Sequence, residues 1–211
     1  MKQLRNKLQR FITIMVISFS VVSCSSETAI PLSPLSEDAV ILAFGDSLTF
    51  GTGADNSNTQ SYPAVLEQLI GRTVVNSGIP GERSAEGLIR LAEELDEYQP
   101  NLVILCHGGN DLIQRLSKQK LKQNLEQMVS LIQETGAEVV LMGVPTLKLS
   151  LQVPPLYSEV AQSFNLPVDL ETFRDVESSP SLKSDPIHPN TTGYKQIAVA
   201  VQQLLLKSGA I

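Results

Sequence analysis

The chain has 211 residues, with 16 Lys plus Arg against 22 Asp plus Glu, a formal net charge of −6, 42% hydrophobic and 18% charged residues. This is the profile of a globular protein rather than a disordered tail, and its length buries enough apolar surface for one domain without disulfide staples. The acidic balance, with no basic stripe in the body of the chain, argues against nucleic-acid binding, which needs clustered Lys and Arg to displace counterions from phosphates.

Residues 1–23 carry Lys2, Arg5, Lys7 and Arg10 and no acid, so their removal takes the net charge from −6 to −10. A basic start followed by the apolar run Phe11 to Val22, about 12 residues where a bilayer span needs ~20, reads as a secretory signal peptide. The run ends in Val21-Val22-Ser23-Cys24, which resembles the lipobox of bacterial lipoproteins and implies that Cys24 is lipidated and becomes the mature N-terminus. Ser25 is not the Asp that often retains lipoproteins at an inner membrane. The expectation is therefore a lipoprotein of the bacterial cell envelope, facing the periplasm or exterior, in the outer membrane where there are two. The plainer alternatives are an ordinary signal peptide with an incidental cysteine and a short amphipathic terminus. Residues 24–38, rich in Ser, Pro and Glu, read as the lipidated N-terminus and a flexible tether, leaving 39–211 as one domain.

After the tether, short apolar runs alternate with longer amphipathic ones. Ala39 to Phe44 is a continuous apolar run of strand length, as expected for a strand covered on both faces. Tyr62 to Ile70 suits a helix, with Ser61 as cap and Pro63 tolerated in the first turn. Thr73 to Asn76 reads as a second strand. Ser84 is placed to cap a helix through Leu95, with Leu88, Ile89, Leu91, Ala92 and Leu95 on one face. Leu102 to Cys106 is a third buried strand, and Ser117 to Glu134 a long helix ended by Gly136. Glu138 to Met142 makes a fourth strand, Pro155 to Asn165 a helix, and Val168 to Leu170 a short fifth strand. Thr191 to Lys207 is the closing helix, with Asn190 as its cap and Gly209 beyond it. Such alternation implies a parallel sheet flanked by helices.

In open parallel sheets, ligands bind beyond the carboxyl ends of the strands. Gly45-Asp46-Ser47-Leu48 follows the first strand, Asn76-Ser77-Gly78-Ile79-Pro80-Gly81 the second, and His107-Gly108-Gly109-Asn110-Asp111 the third. Asp185-Pro186-Ile187-His188 stands before the closing helix. These four clusters, in this order, resemble the GDSL or SGNH hydrolase family over essentially the whole domain. The layout is most similar to compact bacterial esterases of the thioesterase, lysophospholipase and arylesterase group. The resemblance implies a three-layer α/β/α (flavodoxin-like) sandwich with a central, mainly parallel five-stranded sheet.

Hydrolysis of an ester needs a nucleophile, a base that returns its proton to the leaving group, and donors for the oxyanion. Ser47, at the turn leaving the first strand, is the expected nucleophile and His188 the base and acid. Asp185, three residues earlier, can fix the His188 tautomer and stabilise the imidazolium. The oxyanion hole is expected from the backbone N–H groups of Ser47 and Gly81 and the side-chain amide of Asn110. Asp46 is read as a loop anchor, His107 as a structural histidine beneath its loop, and Cys106 as an inert core thiol. Asn76 and Gly78 are expected to shape the second loop, and Thr191 and Tyr194 to belong to the helix that holds His188.

No GxSxG elbow, GxGxxG or GxxxxGK[ST] motif is present, so neither an α/β-hydrolase nor a nucleotide site is indicated. With Cys24, Cys106, His107 and His188 as the only Cys and His residues, no disulfide framework, metal or cofactor is expected. The expected protein is a monomeric serine esterase acting on small-molecule or lipid carboxylic esters, thioesters and lysophospholipid included, with the membrane as its other partner. Loops at 52–61, 112–117 and 144–155 are expected to shape the acyl pocket. The last is rich in apolar residues from Val144 to Leu156, which favours an acyl or aryl group over a bare sugar. The alternatives are a carbohydrate O-deacetylase of the same family and a non-catalytic binding lipoprotein retaining the fold.

Overall fold

A computed structural model describes residues 30–147 and 151–211. The expected signal peptide, Cys24 and Leu149 lie outside the described residues. Five strands, β1 (Val40–Gly45), β2 (Thr73–Gly78), β3 (Leu102–Cys106), β4 (Glu138–Met142) and β5 (Val168–Asp169), form one sheet in the order β2-β1-β3-β4-β5. Every pairing is parallel. The helices are α1 (Ser47–Phe50), α2 (Ser57–Gln60), α3 (Tyr62–Ile70), α4 (Ser84–Tyr98), α5 (Gly109–Ile113), α6 (Lys118–Glu134), α7 (Leu156–Phe164), α8 (Thr172–Ser178) and α9 (Thr191–Ser208).

The layers follow from the apolar runs. Ile41 to Phe44 and Leu102 to Cys106 are wholly buried because helices cover both faces of the sheet. Helices α3, α8 and α9 pack together on one side, α4, α6 and α7 on the other. The result is a three-layer α/β/α sandwich. Strand order reverses between β1 and β3, so the crevice of this fold opens where Gly45 and Cys106 end their strands side by side. Gly45 has to be glycine: a Cβ there would meet the Cys106 carbonyl oxygen at 2.1 Å.

Several local expectations shift. Helix α4 runs on to Tyr98, and its buried face is Ser84, Gly87, Leu91 and Leu95. Ile89 is 82% exposed and Ala92 is exposed too, because both lie off the stripe at this helix's true phase. Ser84 does not cap α4; its hydroxyl and backbone N–H donate to Asp111 at 2.7 and 2.8 Å. Ser61 likewise makes no side-chain cap for α3 and accepts instead from the Asn76 amide at 3.2 Å. Ser117 and Asn190 do cap, accepting from Lys120 N–H at 3.3 Å and Gly193 N–H at 3.0 Å.

The described part of the expected tether packs on the domain. Leu32 and Leu35 donate backbone N–H bonds to the carbonyls of Ser208 and Ala210, both at 2.8 Å. Ser33 N–H donates to Glu138 at 2.9 Å, and the Arg72 guanidinium holds the carbonyls of Leu35 and Ser36. These contacts lie at the start of β4, before β2 and at the end of α9, the pole where the strands begin.

Candidate active site

The site is built at the opposite pole, from the residues that follow each strand. Asp46 turns the chain out of β1: buried, it accepts the Leu48 N–H at 3.0 Å as the cap of α1. That places Ser47 at the first helical position, where its own N–H has no intrahelical acceptor. Burial pushes the Asp46 carboxyl above its ordinary value, against the opposing pull of the two histidines and of the N–H groups it accepts. Below, the buried Tyr194 hydroxyl from α9 donates to the Thr52 carbonyl at 2.8 Å and clamps the turn after α1.

His188 arrives on the loop before α9. Its Nε2 stands 3.1 Å from Ser47 Oγ and its Nδ1 2.8 Å from Asp185 Oδ2. The other Asp185 oxygen accepts the backbone N–H groups of Ile187 at 2.7 Å and His188 at 2.8 Å. Burial works against the Asp185 charge, but the His188 ring and these two donors outweigh it and hold the carboxyl below its ordinary value. With Nδ1–H donated to Asp185, Nε2 is left with its lone pair toward the Ser47 hydroxyl. That arrangement can take the hydroxyl proton and give it up again. The loop is closed by Ser184, whose N–H donates to the His188 carbonyl at 3.0 Å, and by Lys183, whose Nζ donates to the Pro186 carbonyl at 2.9 Å.

Two further donors converge from neighbouring loops. Gly81 sits at φ 84°, the left-handed region, with open space where a Cβ would stand. Neither its N–H nor that of Ser47 has an acceptor among the described residues. Asn110, in the first turn of α5, donates its amide to the Glu82 carbonyl at 3.0 Å and lies 3.4 Å from Asp46 Oδ2. Asn76 Oδ1 accepts the Gly78 N–H at 3.1 Å and shapes the second loop. Cys106 is buried beneath, and burial pushes its thiol well up.

Sequence reasoning missed what holds these loops. The Glu82 carboxylate is gripped by Arg90 through two bonds of 2.8 Å and meets His107 Nε2 at 3.1 Å. Burial alone would raise the Glu82 carboxyl, yet Arg90 and His107 bring it below its ordinary value. The Arg90 guanidinium also lies 4.2 Å over the Phe44 ring. Fully buried, His107 is thus a structural residue, and its carbonyl accepts the Tyr157 hydroxyl at 2.9 Å. The one hint in the sequence was an arginine flanking the buried stripe of α4.

A pocket beside Ser47 is lined by Leu48, Asn110, Ile113, Val144, Pro145, Leu147, Glu177 and Ile187, together with Asp46 and Gly109. The 112–117 and 144–155 loops contribute as expected, but no residue of 52–61 does: Gly53 packs against Ser184 and the back of the His188 loop, Asp55 N–H donates to Thr191 at 3.1 Å, and Ser57–Gln60 forms α2. Part of the 144–155 surplus goes inward: Leu156 is buried and Val153 packs against the core. Among the described residues, no cluster of three or more His, Cys, Asp or Glu is placed to hold a metal ion.

The sequence pattern of the GDSL-like lipase/acylhydrolase family matches residues 43–196. The chain is 30% identical to an arylesterase of Vibrio mimicus, over 79% of this chain and 88% of that one. It is also 30% identical to thioesterase 1/protease 1/lysophospholipase L1 of Escherichia coli K12, over 75% and 79%. The crystal structure of TesA superimposes with a TM-score of 0.70 at 28% identity, covering 79% of this chain and 97% of that one.

Proposed function

The chain belongs to the GDSL-like lipase/acylhydrolase family and is an ester-hydrolysing enzyme, and on that premise we propose that it works through an acyl-enzyme on Ser47. Ser47 Oγ attacks the ester carbonyl carbon while its proton passes to His188 Nε2. Asp185 keeps the ring in the tautomer that can accept it. The carbonyl electron pair moves to oxygen, which receives the N–H groups of Ser47 and Gly81 and the Asn110 amide. Collapse expels the alcohol, which takes the proton from His188. Water then repeats the sequence on the acyl-serine and releases the acid.

The single observation that supports this reading is the position of His188, 2.8 Å from Asp185 and 3.1 Å from Ser47. A fluorophosphonate probe tests it: the wild type labels stoichiometrically and Ser47→Ala does not. A wild type that neither labels nor hydrolyses any ester overturns the proposal.

Aryl esters and short to medium acyl esters are the proposed substrates, thioesters and lysophospholipid being further members of the same class. In support, Phe50, Ile79, Ile113, Leu116 and Leu147, all of them about two-fifths exposed, follow four different strands around the catalytic crevice. A panel of nitrophenyl esters, acyl-CoA, lysophospholipid and acetylated sugars checks the ranking. Preference for acetylated sugar over every lipid-like ester overturns it. We also propose that Cys24 carries a lipid anchor; Cys24→Ala then abolishes membrane association, and unchanged processing and association refute it.

A further inference from the structure

Glu177 has no part in the acyl-transfer chemistry above, yet it lines the same pocket as Ser47 and Asn110. It is 6% exposed, and its neighbours in the pocket wall, Ile113, Val144, Pro145, Leu147 and Ile187, are apolar. One carboxylate oxygen, Oε2, lies 3.0 Å from Lys183 Nζ. Both carboxylate oxygens are buried with no hydrogen-bond partner among the described residues, so that Oε2 has only the charge of Lys183 beside it and Oε1 has nothing. Its place in the last turn of α8, beside the free carbonyls of the helix end, is also unfavourable for an anion. Burial raises the Glu177 carboxyl above its ordinary value, with the Lys183 ammonium pulling the other way. A buried polar atom left without a partner is costly, and on a side chain that lines a substrate pocket it is one that a ligand can satisfy.

We infer that Glu177 is a specificity-determining residue whose Oε1 accepts a hydrogen bond from a hydroxyl on the acyl part of the substrate, so that hydroxyacyl esters are favoured over plain acyl esters. The inference rests on the esterase reading given above and names the acyl class that the site selects. A hydroxyl suits the site better than an ammonium group because Lys183 already balances the carboxylate. The acyl side of the ester is the relevant one if the apolar wall of Ile113, Val144, Pro145, Leu147 and Ile187 around Glu177 receives the acyl chain, as the esterase reading has it. A plain chain packed against Glu177 leaves Oε1 without a donor, whereas a hydroxyl supplies one. Sites built to bind a substrate hydroxyl discriminate strongly against analogues that lack it.

The test compares nitrophenyl hexanoate with its 2-, 3- and 5-hydroxy derivatives and with the matching methoxy compounds, which fill the same space but cannot donate. The quantity read is the hydroxy-to-methoxy ratio of kcat/KM, which cancels the active fraction of each preparation. In the wild type, the ratio is expected to reach about tenfold or more at one position of the chain. The double variant Glu177→Leu/Lys183→Met removes both charges together and brings that ratio to near one. Should it not fold, Glu177→Gln, which keeps the shape, lowers the ratio severalfold. A wild-type ratio near one at every position, or a ratio that survives in the variants, overturns the inference. Failure of the underlying reading looks different: plain hexanoate is then not hydrolysed and the fluorophosphonate does not label.

Discussion

The Asn110 side-chain amide donates to the Glu82 carbonyl at 3.0 Å, so the turn that carries Gly81 also aims the side chain proposed as the third oxyanion donor. Asn110→Ala is expected to lower kcat by two orders of magnitude or more, about 3 kcal/mol of transition-state stabilisation, with KM little changed. Steady-state kinetics on a nitrophenyl ester decides this. A KM effect with kcat preserved would remove Asn110 from the oxyanion hole.

Asp185→Asn keeps an oxygen able to accept the Ile187 and His188 N–H groups, so the turn survives. It no longer dictates that His188 Nδ1 carries the proton. We expect kcat to fall by roughly two to four orders of magnitude, toward the lower end because the Asp185 side chain is 44% exposed and water can partly substitute. Folding measured by circular dichroism should be unchanged; an active Asp185→Asn enzyme would refute the orienting role.

The buried ion pair of Glu82 makes a statement about stability and pH. A carboxyl whose folded pKa lies below its unfolded value adds stability above the unfolded pKa and loses it as pH falls through the folded one. Glu82→Gln should therefore cost most at neutral pH, and its deficit against the wild type should shrink on acidification below the ordinary carboxylate range. Chemical denaturation from pH 7 down to pH 3 tests this, and a deficit that is constant with pH contradicts it. Because the pair also fixes the loop of Gly81, kcat should fall in the same variant.

Gly87 faces the imidazole of His107, and a Cβ there would meet Nε2 at 2.3 Å. Gly87→Ala must displace a fully buried ring from its carboxylate, which outweighs the gain in helix propensity. A loss of about 1–3 kcal/mol in unfolding free energy is expected, whereas Gly→Ala at an unobstructed helical site would stabilise.

The strands and the four clusters that the fold brings together were legible because they leave local marks: continuous apolar runs for β1 and β3, and Gly-containing turns directly behind them. Helices α1, α5 and α8 were not, since four to seven residues are too few to show a 3.6-residue period. Ser84 looked like a cap by position and proved to be a partner of Asp111, a contact between residues 27 apart that no local pattern encodes. Glu82, Arg90 and Glu177 escaped notice for the same reason. Glu177 stands among Ser and Asp in the sequence, and its burial involves Lys183 from the loop that follows, which no local pattern marks.

The packing of Leu32 and Leu35 against the end of α9 sets a distance. Helix α9 has 18 residues, about 27 Å at 1.5 Å per residue, and separates that attachment point from the His188 loop at its other end. From Cys24 to Ile30 even a fully extended chain reaches only about 21 Å. A lipid on Cys24 would hold the strand-start pole toward the bilayer and the crevice facing away from it, beyond the leash of its own anchor. An enzyme anchored in this way would draw its substrate from the aqueous side or from a facing surface rather than from the leaflet that holds it, and lengthening the segment before Ile30 would be the change that lets it turn around.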